Sequence, residues 1–111
     1  MVLDIKSPSS FITKVSTISR KSNELRTVKL RVVYKDGFFY LTRRNKDSSW
    51  YKNLLKNQYA EIEINNNLLK GEASEMLDEK EKLEISKIKF ADERSYEQRF
   101  GFRLGIREKI K

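Results

Sequence analysis

Ten residues, Leu25 to Tyr34 (LRTVKLRVVY), constrain this chain more than any other stretch. Val28, Leu30, Val32 and Tyr34 fall on one face, and Thr27, Lys29, Arg31 and Val33 on the other, the period of a half-buried strand. Lys35-Asp36-Gly37 follows, and its Asp-Gly pair favours a tight hairpin, so Phe38 to Thr42 should return antiparallel with a register set by the turn.

Other segments repeat this signature. Phe11 to Ser19 (FITKVSTIS) is rich in β-branched residues and puts Phe11, Val15 and Thr17 on one strand face, between a Ser7-Pro8-Ser9-Ser10 entry turn and an Arg20-to-Glu24 exit turn. Gln58 to Ile64 alternates through Ala60, Ile62 and Ile64, with Glu61 and Glu63 read as an exposed face rather than an acid–base pair. Asn65-Asn66-Asn67 is a turn of residues that tolerate positive φ. Leu68 to Leu77 is a fifth strand, with Gly71 marking a bulge or a barrel corner.

Two segments break the two-residue period. Thr42 to Asn57 (TRRNKDSSWYKNLLKN) runs from a basic loop into a helix, with Asp47, Ser48 and Ser49 as N-cap residues and Trp50, Tyr51, Leu54 and Leu55 as the apolar set. A helix N-terminus behind Arg43, Arg44 and Lys46 is a candidate phosphate cradle, or else a solvated loop before a packed helix. From Asp78, early acids and later bases read as a second helix through DEKEKLEISKIKFADERSYEQRF, although Leu83-x-Ile85 and Ile88-x-Phe90 also fit a strand. Gly101 to Lys111 is a sixth strand or an arm over a partner subunit. The order gives a mainly β, α+β fold: one domain, residues 1–111, as a small antiparallel barrel of five to six strands with one internal and one C-terminal helix.

Composition narrows the chemistry. With no Cys and no His, disulfides, Cys or His nucleophiles, a His base and the usual zinc sites are excluded, and no metal site is expected. No carboxylate pair or Ser-Lys dyad stands out, so no catalytic residue is assigned. A net charge of +8, from 24 basic and 16 acidic residues, favours anionic partners: phosphate cofactors, nucleic acid or a membrane surface. No stretch is apolar enough to span a bilayer and the N-terminus lacks the core of a signal peptide, so a cytoplasmic protein is expected. So small a core also makes association an option.

The run RKSNELRTVKLRVVYKDGFFYLT, then SSWYKNLLKN, an alternating strand, an Asn-rich turn and GEASEMLDEKEK, resembles the deazaflavin-dependent nitroreductase family. That family belongs to the flavin-type (FMN-binding) split β-barrels, alongside pyridoxamine-phosphate-oxidase-like proteins. The resemblance covers residues 15 to 90. It implies a flavoprotein-type oxidoreductase binding a deazaflavin (coenzyme F-420) or FMN and passing hydride to a nitro- or quinone-like acceptor, as a homodimer with its cleft between subunits. By position, Arg20, Lys21, Ser22, Arg26 and Thr27 would grip the phosphate or tail. Thr42 and Arg43 would line the cofactor edge, and Trp50 would pack beside it. Arg43 and the start of the Trp50 helix should then face the Arg20 turn, with Arg44 and Lys46 left to solvent. A cofactor that carries the redox chemistry fits a chain without His or Cys.

Other readings stand beside this one. Arg20, Lys21 and Arg26 also suit a hairpin edge protected by charge, and Lys29 and Arg31 face either solvent or a polar cavity. The same fold could bind the cofactor without turnover. A basic barrel could instead bind single-stranded nucleic acid, stacking bases on Trp50, Tyr51, Phe38 and Tyr40.

Overall fold

In the computed structural model, which describes residues 5–90 and 99–111, six strands and two helices follow in the order β1 (Ser9–Ile18), β2 (Leu25–Lys35), β3 (Phe38–Arg43), α1 (Ser49–Lys56), β4 (Tyr59–Ile64), β5 (Asn67–Glu75), α2 (Glu79–Lys89) and β6 (Phe100–Lys109). All pairings are antiparallel, and the strands close a barrel in the order β1-β2-β3-β6-β5-β4. The tail is therefore the sixth strand rather than an arm, and it enters between β3 and β5. The stretch from Asp78 is a helix that ends at Lys89; its expected continuation through 91–98, Tyr96 included, lies outside the described residues. No described helix is long and apolar enough to cross a membrane.

The alternation in β2 sets both sides of the wall. Val32 and Tyr34 join Val15, Phe39, Leu41, Ile62, Leu69, Phe102 and Leu104 in the barrel core, while Val33 packs outside with Tyr40, Met76 and Ile85 beneath α2. Turn chemistry fixes the hairpins: Asp36 and Gly37 have φ of 51° and 89°, and Asn65 and Asn66 have 50° and 66°. At Gly71 the β5–β6 register shifts, and a Cβ there would lie 2.1 Å from the Gly105 carbonyl oxygen. Only glycine permits that approach of two backbones.

β1 and β2 pair along their whole length, from Ser9↔Tyr34 to Ile18↔Leu25, but β2 and β3 pair only across Val33↔Tyr40, Tyr34↔Phe39 and Lys35↔Phe38. The β1–β2 ribbon thus runs on beyond its contact with β3, and α1 stands at that end of the barrel. Trp50, Tyr51, Asn53 and Leu54 of α1 are buried. Leu55, read from the sequence as part of the apolar face, is exposed, and the inward place goes to Asn53. Ser48 is the N-cap residue but makes no capping hydrogen bond. Glu61 corrects the reading of β4: it is 8% exposed, and the Tyr59 hydroxyl donates to its carboxylate.

Candidate functional site

The turn between β1 and β2 is held by its own side chains. Asn23 takes φ 61°, a left-handed position Asn tolerates. Ser19 Oγ accepts from the amides of Lys21 (3.2 Å) and Ser22 (3.3 Å), the Asn23 amide donates to Ser19 O (2.9 Å), and the Glu24 amide donates to Ser22 Oγ (3.4 Å). These amides are occupied, so the turn is not a nest of free N–H groups. What it offers an anion is side chains: Lys21 and Arg26 are both exposed, with Arg26 also reaching Glu24 (3.2 Å) and Ser22 Oγ (3.4 Å).

Asn53 joins that turn to α1. Its side chain accepts from Arg20 and donates to Thr17 Oγ1 (3.1 Å), while the Arg20 guanidinium also donates to Ser49 O at 3.4 Å. Thr17 and Arg26 are cross-strand partners, so both point to the barrel-interior face at the end where α1 sits. The result is a cleft of about 310 Å³ lined by Thr17, Ser19, Arg20, Lys21, Arg26, Thr27, Val28, Ser49, Trp50 and Asn53. Five of the residues expected at a cofactor from the sequence meet here: Arg20, Lys21, Arg26, Thr27 and Trp50. Ser22 supports Arg26 from within the turn. Trp50 serves packing and cleft together, being 5% exposed with its ring 5.6 Å from that of Tyr51.

Thr42 and Arg43 lie elsewhere. They line a second cleft, about 320 Å³, with Arg44, Asn45, Lys89, Phe90 and Arg99. Thr42 shares the outer face of β3 with Tyr40, beneath α2, whereas the first cleft opens at the α1 end. The two clefts share no lining residue. Arg43, expected to face the Arg20 turn across a bound cofactor, thus lies in a basic cleft separate from the one that turn lines. Arg44 and Lys46 are not simply solvated: Arg44 lines the second cleft, and Lys46 pairs with Glu75 (3.4 Å) and lies 5.0 Å from the Phe100 ring.

The sequence reading missed Asn53 and Lys89. Asn53 was visible only as the polar member of the Trp50-Tyr51-x-Asn53 run. Lys89 Nζ donates to Thr42 O (3.0 Å) and Thr42 Oγ1 (3.1 Å). Burial first, then the charges of Arg99, Arg43 and Arg31, lower its pKa to about 8. Arg31, exposed on β2, acts on that ammonium without lining the cleft. Of the aromatics offered as base-stacking surfaces, Trp50, Tyr51 and Tyr40 are buried at 5%, 0% and 5% exposure, which removes the platform that single-strand binding needs.

Solved structures repeat this fold. An F420-H2 dependent reductase superposes with a TM-score of 0.67 at 19% identity, covering 84% of this chain and 92% of that one. A FAD-binding protein from Mesorhizobium loti gives 0.67 at 12% identity, over 88% and 82%. A protein solved as a domain-swapped dimer gives 0.66 at 19% identity, over 84% and 78%. At such identities these likenesses establish architecture alone. No curated protein matches the chain. Residues 6–102, which take in β1 to β5 and the start of β6, match the model of the F420H(2)-dependent quinone reductases, and the chain belongs to that family.

Proposed function

We propose that this chain is a deazaflavin-dependent reductase acting on a quinone-like or nitro acceptor, with the cofactor's phosphate held in the cleft between the first hairpin and α1. The observation that carries this reading is the convergence of the Arg20, Lys21 and Arg26 side chains with the start of α1, which has no side-chain cap, on one cleft. Cationic side chains facing a helix N-terminus suit a phosphate, and the family model points to the same ligand. The donor set fits: the turn amides are used internally, and the exposed ends of Lys21 and of Arg26, the latter by giving up its surface contact with Glu24, can close on an anion.

When bound, a reduced deazaflavin supplies hydride, chemistry that no side chain here provides. Arg20, held by Asn53 and Ser49, orients one side of the phosphate site, and Lys21 and Arg26 neutralise it from the turn. Trp50 and Val28 give the cleft apolar walls against which a ring or ribityl chain excludes water. FMN is the second cofactor that a split barrel of this type accommodates, and a homodimer working in the cytoplasm, one domain to each subunit, completes the proposal.

Fluorescence titration of the apo-protein with the deazaflavin cofactor and with FMN, followed alongside melting temperature, tests this reading. Saturable binding with a raised melting temperature is expected, because a ligand that binds only the folded state must stabilise it above its Kd. Absence of binding by either cofactor up to about millimolar overturns the proposal.

A further inference from the structure

Ser48 stands at the N-cap of α1 without capping it: its side chain makes no such hydrogen bond, and among the described residues its Oγ is buried without a partner. The first turn of α1 is nonetheless a wall of the first cleft. Ser49 and Trp50 line that cleft, and Ser49 O takes the Arg20 guanidinium. A short helix without a local cap frays unless tertiary contacts hold its start. Here the hold comes from the end of β5. Glu75 Oε2 accepts from the Tyr51 hydroxyl at 2.6 Å and pairs with Lys46 at 3.4 Å, so one carboxylate grips the chain on both sides of Asp47 to Trp50. Each grip is backed by packing. The buried Tyr51 ring lies 4.8 Å from that of Phe102, and Lys46 lies 5.0 Å from the Phe100 ring, which the Lys82 ammonium also meets at 5.3 Å. Glu75 itself lines neither basic cleft.

We propose that Glu75 is a positioning residue for the cofactor cleft: by tying Tyr51 and Lys46 to β5, it sets where Ser49 and Trp50 stand and hence where Arg20 is presented. The role rests on the reading of that cleft as the cofactor's phosphate site, whereas the clamp on α1 is a property of the protein alone. With both grips closed the wall exists before a ligand arrives, and binding does not have to order it. With them open, affinity falls by the fraction of molecules in which the wall is built. An ionised carboxylate suits the task because it is an acceptor only and can take a hydroxyl and an ammonium together. A carboxamide in its place keeps an acceptor for Tyr51 and loses the charge that holds Lys46.

Trp50 is the only tryptophan in the chain, so its emission and its quenching by acrylamide report on this wall with no cofactor present. Both are measured beside an equilibrium titration with the deazaflavin cofactor. In the wild type Trp50, 5% exposed, should emit as a buried indole. Glu75→Ala should move the emission to the red, raise the quenching and weaken cofactor binding by about threefold to tenfold, while unfolding stays cooperative. Glu75→Gln should restore the greater part of both. Glu72→Ala removes another β5 carboxylate, one paired with Arg107 at the surface, and should change neither. Should Glu75→Ala fail to fold, Lys46→Met opens one grip without touching Tyr51 and is expected to move both readouts in the same direction. An unchanged Trp50 in the variant that folds overturns the proposal. So does an altered Trp50 with wild-type cofactor affinity, or an equal effect from Glu72→Ala. If the wild type binds no cofactor, the reading of the cleft falls, and the Trp50 signal alone decides whether Glu75 sets its wall.

Discussion

Asn53 Oδ1 receives both the backbone amide of Arg20 (3.2 Å) and its guanidinium (3.0 Å), so one buried carboxamide fixes the turn and the side chain that turn presents. Asn53→Leu keeps the number and branching of the side-chain heavy atoms, removes both acceptor contacts and strands the Thr17 hydroxyl it also bonds. A loss of about 1–3 kcal/mol in folding stability is expected, measurable by urea unfolding. Cofactor affinity should fall with it even where the protein remains folded, because Arg20 is then free to sample other rotamers.

Lys21 and Arg26 should behave in the opposite way. Both are exposed and contribute little to packing, so Lys21→Ala and Arg26→Ala are each expected to leave unfolding within about 0.5 kcal/mol of wild type. Each should weaken cofactor binding by about 1–3 kcal/mol in an equilibrium titration. Equal losses of stability and affinity would make these residues structural rather than ligand-binding.

The Tyr51 hydroxyl donates to Glu75 Oε2 at 2.6 Å, linking α1 to the end of β5. That hydrogen bond, with the charge of Lys46 beside it, holds the Glu75 carboxyl below the usual carboxylate range. A depressed carboxylate contributes stability that is present above its unfolded pKa and lost as pH falls through the folded one. Tyr51→Phe should therefore raise the Glu75 pKa, read from its side-chain carboxyl carbon shift in NMR, and flatten the acid limb of the stability profile.

Lys89 works on the alkaline side. Its pKa falls from 10.5 to about 8, so between these values the unfolded chain binds more protons than the folded one. Stability should then rise with pH from about 8 towards 10, against the usual trend. Above that window Tyr59, raised to about 12 by burial and its bond to Glu61, pulls stability down again as the unfolded tyrosine ionises first. The slope between pH 8 and 10 should disappear in Lys89→Met, which urea denaturation at a series of pH values would measure.

Strands, turns and the bulge at Gly71 were legible in the sequence because each is local: a period of two, an Asp-Gly or Asn-Asn pair, a lone glycine in an alternating run. The place of β6 was not, since nothing in the pattern of a strand names its neighbours. Lys89 has the same history. One basic residue in the last turn of a helix reads as a complement to the helix dipole, and only the docking of α2 across β3 turns it into a part-buried charge held by Thr42. Thr42 and Arg43, expected at the cofactor edge, lie in a second basic cleft, and the side of the wall they serve depends on where β2 and β3 part, which is a property of the closed sheet.

The strand order has a bearing on how the molecule is made. Because β6 pairs with β3 on one flank and β5 on the other, both flanks stay bare until residues 100–109 have left the ribosome. The nascent chain can assemble β1 to β5 into a curled sheet, but the seam must wait for the last strand to be synthesised. During that wait, Phe39 and Leu41 on one lip and Leu69 and Ala73 on the other border a slot shaped for one particular segment, and any other copy carries the same segment. Fidelity of assembly thus rests on each chain delivering its own strand faster than a neighbouring chain can deliver an identical one.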